Sequence, residues 1–274
     1  MKRLILLAAL VAAFSAHATD GVLEINQVKL DAAGGTYVIS QPGSYRLTSN
    51  LTQHDANTIA IRIAASNVTL DLNGFSIIGP NTCRAGQSVA ANCDFVLGAV
   101  GIGTVNANGA PYTNYGATTV KNGVISGMGG HCLYLTGKNA LVEDVAVDNC
   151  GGHGIDAAST ALDGVVHRGR ATSVYSIGIF GGVITNSVAT SLGDFGIWGR
   201  MVSNSFVSDS HNGGIAGEVI QGNTVASVNG CALQGLIMGR GLPTANYLEG
   251  YDTPMCGQMS SVPPNSNSCN GTAC

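Results

Sequence analysis

VKNGVISGMGGHCLYL (120–135), VEDVAVDNCGGHGIDA (142–157), VHRGRATSVYSIGIFG (166–181), ITNSVATSLGDFGIWG (184–199), VSNSFVSDSHNGGIAG (202–217) and IQGNTVASVNGCALQG (220–235) share one pattern. Each opens on Val or Ile. Two residues on stands a corner residue: Asn122, Asp144, Arg168, Asn186, Asn204 or Gly222. Three past the corner comes Ile125, Val147, Ala171, Ala189, Val207 or Val225. Eleven past it comes Leu133, Ile155, Ile179, Ile197, Ile215 or Leu233. The repeat length falls from 22 and 24 residues to 18, and all the variation lies between the last apolar position and the next corner. A helical solenoid needs a 3.6-residue period within each unit, and none is present. Three short β-branched segments per rung, separated by Gly, Asn and Ser, describe a parallel β-helix.

Such a chain coils because equivalent strands pair one rung apart, about 4.8 Å along the axis, so equivalent side chains stack. A column of Ile or Val then fills the interior, which no single rung can bury alone. Asn suits the corner because it tolerates left-handed backbone, and stacked amides are expected to bond along the column. Arg168 interrupts that column and is expected to swing outward, since an unpaired guanidinium is too costly to bury.

Outward from the repeat, Lys2 and Arg3 precede an apolar run, Leu4 to Phe14, and Ala16-His17-Ala18 supplies small residues. Residues 1–18 are therefore expected to be a secretory signal peptide, placing the mature chain outside the cell or in the periplasm, with no later membrane span. Residues 19–58 hold short strands around Pro42-Gly43 and are expected to cap the first rung. The β-helix is expected over 59–241, interrupted by loops at 80–97 and 106–117. Residues 242–274, rich in Pro, Ser, Asn and Cys, are expected to form a C-terminal tail stapled by disulfides. The expected fold class is thus all-β.

Only 10% of the chain is charged, against the usual quarter, and 39 residues are Gly. Surface helices would need more Lys and Glu on their wet faces. Without Lys2 and Arg3, ten basic side chains face sixteen acidic ones, a net charge of about −6. That balance excludes general nucleic-acid binding, which rests on neutralising phosphates. Eight cysteines fit an oxidising compartment. Cys83 with Cys93 and Cys132 with Cys150 are the expected bridges; Cys231, Cys256, Cys269 and Cys274 are left open. No Cys-x-x-Cys pair occurs, so no zinc site is expected.

TYVISQPGSYRLTSNL (36–51) and AIRIAASNVTLDLNGFSIIG (60–79), followed by the repeat, resemble secreted right-handed parallel β-helix proteins of the pectin-lyase-like superfamily. The resemblance covers most of the mature chain. It implies the fold, and it implies extracellular polysaccharide as the class of partner; it does not choose an activity. GGHGID (151–156) resembles the Gly-His-Gly motif of polygalacturonases, but the paired aspartates and Arg-x-Lys of that family are missing. Hydrolysis needs two carboxyls about the bond, and this string supplies one. Gly130-His131-Cys132 also occupies the same repeat position, as a repeated turn would.

Pectate-lyase-like elimination would need a basic residue to remove a proton beside a carboxylate, with Ca²⁺ acidifying that proton. Arg168 and Arg170 are the candidate bases, and His153 and Asp156 the candidate acid/base groups. The family's Arg-x-x-Pro-x-x-Arg pattern is absent, and no motif supports Ca²⁺. The residue after each inward aliphatic should face outward. That column contains Tyr134, Asp156, Phe180, Trp198 and Ala216. Tyr134, Phe180 and Trp198 are candidate sugar-stacking residues, and folding of the 80–117 loops over these rings is the alternative. Two classes of function therefore stand: recognition or processing of polysaccharide, as a lyase if an enzyme, or a non-catalytic, adhesin-like solenoid binding an envelope or extracellular partner.

Overall fold

A computed structural model describes residues 21–273, apart from 56, 82–94, 97, 108–109, 112–113, 159–161, 236–241, 257–266 and 271. The Cys83–Cys93 pairing and the signal segment lie outside the described residues. The chain forms a right-handed parallel β-solenoid of about nine turns. The strand pairings between rungs are parallel, and an antiparallel contact between Ser268–Cys269 and Thr272–Ala273 ends the stack.

Three columns of inward side chains build the interior. The first runs through Ile61, Ile102, Leu133, Ile155, Ile179, Ile197, Ile215 and Leu233. The second runs through Leu70, Val120, Val142, Val166, Ile184, Val202 and Ile220. The third runs from Leu51 through Ile77, Ile125, Val147, Ala171, Ala189, Val207 and Val225 to Leu248. Burial of these stacked aliphatics is the main force holding the rungs together. The repeat extends past the expected boundaries. Val22–Ile25 pairs in parallel with Ser44–Leu47, and Tyr247–Cys256 pairs with Thr224–Gln234. A short helix, Gln27–Ala32, follows the first strand; Asn26 accepts from the Lys29 N–H at its start, and Leu30 enters the common core.

Corners follow from backbone chemistry. Asn122, Asp144, Arg168, Asn186 and Asn204 all have φ between 50° and 60°, the left-handed region that Asn tolerates best. All five point outward and are exposed. The polar ladder expected on them lies one residue further on instead. Oγ of Ser187 accepts from the Gly169 N–H (3.1 Å), and Oγ of Ser205 accepts from the Ser187 N–H (3.2 Å). Oδ1 of Asn223 accepts from Ser205 (2.9 Å), Oδ1 of Asn246 from Asn223 (3.0 Å), and Oδ1 of Asn267 from Asn246 (3.1 Å). A left-handed residue turns its side chain out and the next one in, so the inward neighbour carries the ladder.

A second left-handed column was not anticipated: Asn149, Ser173, Ser191, Asp209 and Ser227, with φ between 52° and 61°. The loop corner of the longer rungs disappears from the 18-residue rungs. There Ile179–Thr185 and Phe195–Ser203 run on as single strands. Gly181 and Gly199 stand in register where these strands run on, and a Cβ on Gly199 would approach the end of the Ile184 side chain to 2.9 Å.

Cys132 and Cys150 form a disulfide, Cα atoms 5.6 Å apart, with both residues fully buried. It joins two neighbouring rungs, those with corners at Asn122 and Asp144, and is not part of the C-terminal tail. Cys231 and Cys269 are disulfide-bonded as well.

Candidate functional site

The first column fixes what stands beside it. Tyr134, Asp156, Phe180, Trp198 and Ala216 are successive partners in register, each one residue past the inward aliphatic. Two residues before that aliphatic stands a second row: His131, His153, Ile177, Phe195 and Gly213. The two rows interleave into a ridge of rings along the axis. Phe95 meets His131 edge-on with centroids 5.4 Å apart, and His131 lies 4.4 Å from Tyr134 and 4.8 Å from His153. His153 then meets Phe180 at 6.1 Å, Phe180 meets Trp198 at 6.0 Å, and Trp198 meets Phe195 at 5.3 Å. These separations lie in the range where aromatic pairs attract. Gly213 is required here: the Phe195 ring lies across it, in the space a Cβ would occupy.

The ridge is partly open. Tyr134, His153, Phe180, Phe195 and Trp198 are half-buried, and Phe95 is 46% exposed. At its N-terminal end Tyr134 packs on a small cluster of Ile59, Val100 and Val105.

Both imidazoles are tied to the main chain. Nδ1 of His131 accepts from the His153 N–H (2.9 Å), and Nδ1 of His153 accepts from the Ile177 N–H (3.3 Å). An accepting Nδ1 leaves the proton on Nε2 and the ring neutral. Burial, assisted by the neighbouring His153, lowers His131 to about 3. Burial lowers His153 to about 4, against the pull of Asp194. Asp156 is only 5% exposed, and Oδ1 accepts from the Ala158 N–H (3.0 Å). Burial pushes its carboxyl up to about 7, partly offset by that bond. Burial, and then the charge of Asp156, pushes Tyr134 up to about 12.

His153 and Asp156 therefore share one side of a rung, while the arginines stand elsewhere. Arg168 occupies the exposed corner between the second and third columns, and its Nε and Nη2 grip the two oxygens of Asp144 at 2.5 and 2.6 Å. Arg170 opens the following strand, exposed, with Ala146 and Val188 as neighbours in register. Neither arginine is among the groups that set the protonation of Asp156. Among the described residues no set of three or more His, Cys, Asp or Glu is arranged to hold a metal ion, and no helix is long and apolar enough to cross a membrane.

Sequence reasoning identified Tyr134, Phe180 and Trp198 but not Phe95 or Phe195 as ring partners. Phe195 was findable, since it follows His153 by one 24-residue and one 18-residue rung. Phe95 lies in a loop, where the repeat carries no information. No protein-family model, curated protein or solved structure matches this chain.

Proposed function

We propose that this protein is a secreted solenoid that binds an extended polysaccharide along the ring ridge, without cleaving it. The observation that carries the reading is the unbroken series of ring contacts from Phe95 to Phe195. Half-buried rings recur at the rung spacing of about 4.8 Å, close to the advance of one sugar unit in an extended chain. Aromatic faces of this kind offer apolar contact to the C–H faces of sugars while polar neighbours meet the hydroxyls. The interior disulfide suits the oxidising compartment that the N-terminal segment implies. Binding is favoured over elimination because Asp156 is buried and both candidate bases stand on another side.

Trp198→Ala tests the ridge. It is expected to weaken oligosaccharide binding about tenfold in calorimetry, with the unfolding temperature little changed; unaltered affinity would overturn the proposal. Incubation with pectate and alginate tests the absence of cleavage. Rising ultraviolet absorbance from unsaturated ends would establish elimination and return His153, Asp156, Arg168 and Arg170 to consideration as catalytic residues.

A second reading, the adhesin-like solenoid, draws on a different face. Leu141, Val165, Val183, Met201 and Val219 form an outward aliphatic stripe over five rungs, with Met201 44% exposed. Such a stripe suits a protein partner. Met201→Asp would abolish that contact and leave glycan binding intact.

A further inference from the structure

Residues of the second left-handed corner line a cavity of about 290 Å³, near the lower limit of ordinary small-molecule sites. Ser191, Asp209 and Ser227 are successive corner residues lining it, one per rung, with His211 and Asn229 beside them and Leu192 buried beneath. Left-handed φ at all three corners turns the polar side chains outward. No ridge ring lines the cavity; chain neighbours and one hydrogen bond link the two. Asn212, next to His211, donates from Nδ2 to Oδ1 of Asp194 (3.0 Å), and Asp194 immediately precedes Phe195. Phe195 in turn meets Trp198.

The lining is rich in hydroxyl, amide, imidazole and carboxylate groups and contains no Lys or Arg. Asp194 and Asp209 place negative charge at this end of the ridge. Arg200, two residues past Trp198, has its Nε 3.7 Å from a carboxylate oxygen of Glu218. A polyuronate brought here would bring its carboxylates against these aspartates with no unpaired cation lining the cavity to receive them. A neutral sugar meets no such repulsion, and its hydroxyls find both donors and acceptors.

Resting on the ridge reading above, we infer that the cavity at Ser191, Asp209 and Ser227 is a sugar subsite continuous with the Phe195–Trp198 end of the ridge, and that the ligand is a neutral, hydroxyl-rich glycan rather than a polyuronate.

Calorimetric titration of the mature chain with neutral hexasaccharides (gluco-, xylo-, manno- and galacto-) and with hexagalacturonate tests this. At least one neutral oligosaccharide is expected to bind about tenfold or more tighter than hexagalacturonate. Asp209→Ala removes an exposed side chain and is expected to weaken neutral binding about fivefold. Asp209→Asn keeps the size of the side chain and removes the charge; it should tighten hexagalacturonate binding and so narrow its gap to the neutral probes. Hexagalacturonate binding as tightly as every neutral probe overturns the inference, as does unchanged binding by Asp209→Ala. Where Trp198→Ala weakens binding and Asp209→Ala does not, only the subsite falls. Where no oligosaccharide binds, or Trp198→Ala is silent as well, the ridge reading falls with it.

Discussion

Among the described residues the carboxyl of buried Asp156 has one hydrogen-bond partner, while His131, buried, and His153, half-buried, are neutral acceptors. These groups tilt the pH dependence of stability in opposite senses. Each histidine is held neutral down to about 3 or 4, whereas the unfolded chain protonates it below about 6.5. Their contribution is present above 6.5 and lost as pH falls through that window. Asp156 keeps its proton to about 7, whereas the unfolded chain releases it near 3.8. Its contribution is full below 3.8 and lost as pH rises to about 7, at a cost on the order of a few kcal/mol. Two histidines against one aspartate leave a net loss of stability on acidification from 6.5 to 4. Asp156→Asn is expected to raise the melting temperature at pH 8 and to steepen the decline between pH 6.5 and 4. Melting curves at pH 8, 6 and 4 check both; a variant no more stable at pH 8 and parallel to the parent would refute the assignment.

At the scale of the element, the inner polar ladder sets how tightly rungs join. Asn246 accepts the Asn223 N–H at Oδ1 and donates from Nδ2 to the Ile220 carbonyl (3.1 Å) and to Oδ1 of Asn267 (3.0 Å), all out of water. Asn246→Ala strands a buried N–H and a buried carbonyl, and is expected to destabilise by about 2–4 kcal/mol. Urea denaturation measures this; a shift under 1 kcal/mol would show that the ladder is incidental. This ladder also marks where sequence reasoning stopped short. The aliphatic columns were legible because a fixed spacing of like residues has one explanation. The corner column was legible because Asn favours left-handed backbone. Its side chains, however, point outward, and the ladder on Ser187, Ser205 and Asn223 repeats at the same spacing one position later, where Ser carries no conformational signature. The second corner was hidden for the same reason: Ser173, Ser191 and Ser227 are ordinary residues in an unusual conformation. Of the candidate site, the row holding Tyr134, Phe180 and Trp198 followed from side-chain alternation, but burial of Asp156 depends on neighbours that no pattern along one strand displays.

At the scale of the molecule, each rung touches chiefly its neighbours, so local ties propagate along the stack. Cys132–Cys150 ties a residue beside the first column of one rung to a residue beside the third column of the next, at a sequence separation of 18. Cys132→Ala with Cys150→Ala is expected to lower stability by about 3 kcal/mol, with the β-type circular dichroism of the folded state retained. An unchanged denaturation midpoint would show that the stacked aliphatics alone set the stability of this region. The strands that run on through Gly181 and Gly199 carry a different consequence. Rungs that pass through them lie directly on rungs that bulge there by four to six residues more, and the three columns keep their alignment across the change. That corner is therefore a free port: foreign peptide grafted into it would project from the side of the tube while the walls stay aligned, which makes this chain a natural scaffold for display.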